Sequence, residues 1–444
     1  MRLPNLLATK SRRLAAFFFL YVTEGLPLGF TATAIATQMR RQGVGPAQIG
    51  VFVGTLYLPW GWKWLVGPFV DVFYSDRLGR RRMWIVAMQV LMAMMLLASM
   101  PVDYAAQIKL FTFLILILNV FGATQDVAID ALACGVLKEE ERGLANGLMF
   151  AGAYVGQAIG GAGVLLLAKY VGFNSTFLFV AACILSVTFF VALGLREPKM
   201  GTRPKAHGSW FRAAVLDIRN YSVKAVKAFF GTRAALVGLV FALLPAGAYS
   251  LSLALQSNLA VELGLSDSKI ALLALVCTII SAVGCVVGGF LSDRFGRRRM
   301  LALYLVGTAV VTGFLAVAMR RQGWIMPIDP RMPNRPIPPT ALITSFWVAN
   351  IVYSVFQGLM YGTRTALFMD ICTPAVAATQ FTAYMAMLNL VIWYSAIWQG
   401  RAIEAWGYPA TLTLDAAAGL VCIFLLPLMK KRTAAAAPTG TEPT

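Results

Sequence analysis

A chain of 444 residues that is 59% hydrophobic and only 13% charged, with a mean hydropathy of +0.72, does not read as two or three soluble domains. Soluble domains carry roughly 25% charged and about 45–50% apolar residues, so the excess apolar surface here calls for lipid as its solvent. The formal net charge of +19 then reads as loops biased toward one membrane face and its anionic lipids, and no nucleic-acid partner is expected.

The first apolar run begins near Leu14, after Arg2, Lys10, Arg12 and Arg13, and reads as a membrane span rather than a cleavable signal. Spans of about 20 apolar residues follow one another, centred near Val22, Leu58, Met92, Leu118, Val155, Ile184, Leu244, Thr278, Gly307, Val355, Leu390 and Gly419. The expectation is an all-α membrane protein of twelve transmembrane helices in two six-helix halves. Residues 1–195 and 234–429 form the halves, 196–233 a basic cytoplasmic linker, and 430–444 a cytoplasmic tail. On that topology most of the 38 basic residues fall on the side of both termini, which places the termini inside the cell.

Ionisable residues inside spans are the first candidates for a site, because each is costly in lipid unless paired or hydrated. In the first span Glu24 precedes Gly25 and Pro27, which loosen the helix. In the second, Lys63 lies among Trp60, Trp62 and Trp64, able to pair with Glu24 or Asp126 or to snorkel to the inner interface. In the fourth, Asp126 and Asp130 are four residues apart and share a face. Asp126 is deeper and reads as a cargo or proton residue, Asp130 as a gate partner near the inner end, with Gln125 a further hydrogen-bonding candidate. Gly152, Gly156 and Gly160 in the fifth span recur every fourth residue, the pattern of close helix packing. In the tenth, Arg364 could hold a cargo carboxylate or pair with Asp370.

A repeat organises the loops. After the second span the chain has Gly67, Asp71, Arg77, Gly79, Arg80, Arg81 and Arg82; after the eighth it has Gly289, Asp293, Arg294, Gly296, Arg297, Arg298 and Arg299. The first copy carries extra residues after Asp71, so Asp71 and Asp76 compete for one role. A carboxylate at a helix end and guanidiniums in the following turn can tie neighbouring helix ends together in one conformation and release them in another. Two equivalent halves point to a transporter with its site between them. The interval Arg320–Pro339, proline-rich from Pro327, is expected to be extended and external. The six cysteines form no CxxC pair, so neither disulfides nor zinc are indicated. His207, the single histidine, lies in the linker, leaving proton coupling to carboxylates, and no phosphate-binding GxxxxGK[ST] loop occurs.

The duplicated loop resembles the signature of the major facilitator superfamily. Within it, three stretches are similar to the AmpG-type muropeptide permease branch: Glu24-Gly25-Leu26-Pro27; Leu58-Pro59 with Lys63, Pro68 and Asp71; and Ala123-Thr124-Gln125-Asp126 with Asp130. Arg142-Gly143 and Ala378-Thr379-Gln380 agree with them. The branch includes siderophore permeases and is related to acetyl-CoA transporters. Two positions depart from the patterns: Glu24, where relatives carry glutamine, and Gln157, where the superfamily's antiporter motif has proline. The resemblance implies a secondary transporter and not an enzyme, in the bacterial inner membrane and monomeric. It implies proton-coupled import of anhydromuropeptides in peptidoglycan recycling, with small-molecule cargo, protons and lipids as partners and no cofactor. A siderophore permease, an exporter and a transporter-like sensor are the alternatives.

Overall fold

In a computed structural model of the chain, the described residues are 4–72, 79–197, 232–252, 254–372 and 377–429, with scattered positions between 212 and 230. Asp76, Arg77, His207 and the tail past 429 lie outside them, as does the side chain of Asp71. The described residues are overwhelmingly helical and include no strand. Helix α1, Lys10–Arg41, continues past Pro27, whose missing N–H breaks the ladder, and relaxes into a π-turn at Phe30–Ile35. Helix α2 is Pro46–Trp62, with a proline in its first turn where no N–H is needed; a 3₁₀ turn at Lys63–Leu65 and the short α3, Gly67–Val72, follow. Then come α4, Arg80–Ser99; α5, Ile108–Val136; α6, Glu139–Ala158; and α7, Ser175–Phe190. Helix α6 continues through a second π-turn, Ile159–Gly163, into Val164–Val171.

The second half of the chain supplies α8, Arg233–Leu243; α9, Ala254–Glu262; α10, Asp267–Phe295; α11, Arg297–Arg321; α12, Thr340–Ile371; and α13, Ala377–Val421. Helix α13 turns at Gly407, whose φ of 78° divides it in two. Nine described helices are long and apolar enough to cross a bilayer. The shorter α2, the interrupted pair α8–α9 and the divided α13 make this consistent with twelve spans. One expected centre, Leu244, falls on non-helical backbone between α8 and α9.

Close approach of backbones fixes the packing. Helices α1 and α6 interlock through Gly25 and Gly29 on one side and Gly152, Gly156 and Gly160 on the other. A Cβ at Gly156 would overlap the Val22 carbonyl and one at Gly160 the Leu26 carbonyl, so only glycine allows this contact. Across the halves, α2 meets the first part of α13, where Gly50 lies against Ala396 and Gly400 against Pro46. Large apolar side chains such as Val286, Phe290, Val310 and Phe424 are strongly exposed, as expected of surfaces that lipid covers.

Candidate functional site

The first half gathers four ionisable side chains. Helix α2 ends at Trp62, and the 3₁₀ turn that follows points Lys63 at α5, where Nζ meets Asp126 Oδ2 at 2.6 Å. The ammonium also lies 5.7 Å from the centre of the Trp60 ring, an attractive cation–π contact. Lys63 is therefore paired rather than snorkelling. Glu24 faces the same pair: its Oε2 is buried without a hydrogen bond, and the charges around it are Asp126, Lys63 and Asp130. Asp130, one turn from Asp126, accepts the Tyr21 hydroxyl at 2.6 Å. Three carboxyls thus share one ammonium. Gln125 turns away from this group, donating to Thr23 Oγ1, which also accepts from Gln89; the Thr188 hydroxyl donates to Gln89 in turn.

In the second half Arg364 is only 4% exposed, yet no carboxylate meets it among the described residues. Its Nη1 donates to the Tyr249 hydroxyl at 2.9 Å, its guanidinium lies 5.6 Å from the Tyr361 ring centre, and its Nε has no partner. Tyr361 also lies within electrostatic reach of Lys63 and Glu24 of the first half. Tyr249 is held by a device the sequence analysis did not single out. The chain between α8 and α9 leaves helical geometry, and Asp415 of α13 accepts the backbone N–H groups of Tyr249 at 2.8 Å and Ser250 at 2.9 Å, plus the Ser250 hydroxyl at 2.7 Å. Gln399 donates to its other oxygen at 2.8 Å. With four donors and no cation paired to it among the described residues, this buried carboxylate satisfies backbone N–H groups that the break leaves without helical partners.

At one end of the bundle the two halves are locked together. Arg40, at the end of α1, and Glu262, at the end of α9, form a buried ion pair at 2.6 Å. Glu262 also accepts the Tyr408 hydroxyl at 2.6 Å and the Ile328 N–H at 3.1 Å, while Arg40 donates to the Val44 and Ile328 carbonyls. Arg41 pairs with Asp267 at 2.6 Å, and Glu404 accepts the Ala47 N–H. The segment after Arg321, devoid of regular structure up to Thr340, is thus pinned across the seam at Ile328. These links between the halves lie together at this end.

The opposite end carries the duplicated loop. In the second copy Arg297 bridges Asp293 at 2.8 Å and Asp370 at 2.6 Å, and donates to the Ala366 carbonyl, tying α10 and α11 to the end of α12. Asp370 therefore meets Arg297, not Arg364. Arg294 lies over Phe295, and one terminal nitrogen of Arg298 is buried without a partner. In the first copy Glu197 accepts the N–H groups of Arg81 at 2.7 Å and Arg82 at 2.8 Å, which caps α4. Arg80 lies in the same turn.

A sequence model described as Major Facilitator Superfamily matches residues 16–326 and 237–443. The chain belongs to the major facilitator superfamily. It is a secondary transporter of the multi-pass membrane class and not an enzyme. The chain is 25% identical over 425 residues to the anhydromuropeptide permease of Escherichia coli (strain K12), covering 93% of this chain and 79% of that one. It is likewise 25% identical over 432 residues to the putative transporter AmpG 4 of Rickettsia conorii, covering 94% and 96%. The fold matches the crystal structure of a D-xylose–proton symporter with a TM-score of 0.67 at 13% identity, covering 93% and 97%. A point mutant of the nucleoside transporter NupG gives 0.65 at 15% identity, covering 94% and 100%.

For a major facilitator protein, two sets of residues were missed by reading the sequence. Arg40, Arg41, Glu262 and Asp267 sit at span ends, where charged residues are ordinary interface anchors; only the fold brings them together across the seam. Asp415 is different. It lies in the interior of the last apolar run, so the rule that flagged Glu24 and Asp126 applies to it equally.

Proposed function

We propose that the chain is an AmpG-type permease that imports anhydromuropeptides together with protons across the bacterial inner membrane by alternating access. The four-part division at residues 195, 233 and 429 and monomeric action belong to the same reading, as do cytoplasmic termini and anionic lipid at the basic loops. The observation that carries it is the Lys63–Asp126 pair with Glu24 and Asp130 beside it, set across the seam from an arginine that no described carboxylate meets. An ammonium shared by three carboxyls cannot satisfy all of them, so uptake and release of a proton changes which carboxyl it holds. Arg364 supplies what an anionic cargo needs: a desolvated guanidinium with a spare N–H, fixed by Tyr249 and Tyr361.

The Arg40 end, taken as external from the basic-residue bias, is closed by ion pairs between the halves, and the arrangement is that of a carrier shut toward the outside. Protonation and cargo entry break the Arg40–Glu262 and Arg41–Asp267 links in the alternate state, and the duplicated loops engage instead. Uptake of a labelled anhydromuropeptide by the purified protein in proteoliposomes tests the reading. Saturable uptake, lost in Arg364→Ala, is expected. Failure to take up muropeptide alongside robust uptake of a ferric siderophore would replace the cargo with a metal chelate.

A further inference from the structure

Between the halves, apart from the charged residues, lies a second space. It is a cavity of about 100 Å³ whose polar lining is Thr33 of α1, Tyr57 of α2, Gln157 of α6, Gln256 and Ser257 of α9 and Thr278 of α10. No charged side chain lines it. Thr33, Tyr57, Gln157 and Ser257 place hydroxyl and amide groups there that make no hydrogen bond among the described residues. Gln256 gives one N–H to Asn350 at 2.9 Å and keeps its carbonyl oxygen available; Thr278 gives its proton to the Ala274 carbonyl and keeps its lone pairs. The cavity therefore offers both donors and acceptors, all neutral, in a partly open space between the halves.

Its wall is built for access to these groups. The π-turns of α1 and α6 both border it, contributing Ala32 and Thr33 from one and Gly161 and Ala162 from the other. A π-turn widens the helix and recurs at functional sites, and the small residues leave floor space. An isolated carboxylate or ammonium would be strongly disfavoured here, since nothing neutralises it. A neutral group bearing hydroxyls and an amide would instead satisfy the unspent donors and acceptors. At ~30 Å³ per water, the cavity holds on the order of three waters, room for the acetamido substituent of a sugar rather than for its ring.

We infer that this cavity is the subsite for a neutral acetamido group on the sugar end of the cargo, while Arg364 holds a carboxylate at the other end. This rests on the reading of the chain as a muropeptide carrier and adds which part of the cargo goes where. The spacing is consistent. Asn350, which holds Gln256, and Arg364 lie on the same helix, so at ~1.5 Å per residue they are about 21 Å apart along it. An extended peptide of three or four residues at ~3.3–3.6 Å each spans about half to two-thirds of that distance, and the length of the arginine side chain shortens the rest. Because both halves line the cavity, an acetamido group seated there also bridges the surfaces that must separate when the Arg40 end opens.

Displacement of a labelled GlcNAc-anhydroMurNAc-tripeptide from the full-length protein in nanodiscs tests the assignment, with N,N′-diacetylchitobiose and the free stem tripeptide as competitors. Chitobiose should compete in the wild type. Gln157→Leu and, as the gentler change, Tyr57→Phe should each weaken chitobiose competition about tenfold while leaving tripeptide competition within about twofold. Arg364→Lys should do the reverse. Wild-type protein that binds the muropeptide but ignores millimolar chitobiose would overturn the subsite, as would variants that weaken both competitors equally. Direct binding of labelled chitobiose without muropeptide binding would uphold the subsite and sink the muropeptide reading. Binding of none of the three would sink both.

Discussion

Glu262→Gln should tip the carrier toward the state open at the Arg40 end. In the closed state Glu262 accepts from Arg40 Nε at 3.0 Å, Arg40 Nη2 at 2.6 Å, Tyr408 and Ile328. Both charged side chains are essentially without solvent, at 3% and 0% exposure, so no screening discounts the pair. A hydrogen bond between charged partners contributes roughly 1.5–3 kcal/mol and a neutral one about 0.5–1.5. Neutralising Glu262 therefore weakens the two arginine contacts by about 1 kcal/mol each and leaves the Arg40 charge buried without a counter-ion. In the open state water hydrates that charge, so the penalty falls on the closed state alone. About 2 kcal/mol corresponds to a roughly 30-fold change in the closed-to-open ratio. Spin labels at Asn174 and Lys269, on opposite halves at this end, read the ratio by double electron–electron resonance. A longer-distance population should rise in Glu262→Gln and fall back in Arg40→Met/Glu262→Met, where no charge is stranded. An unchanged distance distribution in a properly folded Glu262→Gln protein would refute the gate.

The topology predicts that, on a cysteine-free background, an impermeant reagent labels Ile337→Cys, which is 89% exposed, and spares Arg212→Cys on intact cells; labelling of Arg212→Cys would invert the orientation. Asp293→Asn should slow transport while changing thermal stability by less than about 1 kcal/mol, because its bond to Arg297 is solvent-exposed and such pairs contribute little; unaltered transport would reduce the second loop to a topological arginine cluster. Arg13 grips Glu141 through hydrogen bonds at 2.7 and 2.8 Å, and that contact holds the Glu141 carboxyl below its usual value of 4.5. A depressed folded value stabilises at pH above the ordinary one and is lost as pH falls below it, so melting temperatures should drop below about pH 4.5, and less so in Glu141→Gln.

Apolar length and charge bias located the helices because span length is set by bilayer thickness, a constraint each segment meets by itself. Lys63 and Asp126 were legible for a related reason: a charge inside a span must find a partner, and few were within reach. What stayed hidden depends on partners far apart in sequence. The Arg40–Glu262 pair joins residues separated by 222 positions, and neither side chain is unusual at a span end. The break before α9 was signalled by Pro245 and Gly247, the latter at a φ of 84°, but apolar length outweighed them in placing a span centre at Leu244; its cap, Asp415, comes from the far end of the chain. Gln125 drew interest as a polar residue beside Asp126, yet helix periodicity sends neighbouring positions to different faces, and its amide completes a network within the first half.

Coupling of cargo to protons through Asp126 can be read from uptake of labelled anhydromuropeptide into proteoliposomes with and without an imposed pH gradient. Wild-type protein should concentrate cargo only when the gradient is present. Asp126→Asn, which removes the carboxylate that Lys63 bonds, should abolish accumulation while permitting exchange of cargo across the membrane, and Glu24→Gln should be milder. Wild-type uptake indifferent to the gradient, or an Asp126→Asn protein that still concentrates cargo, would rule out proton coupling through Asp126.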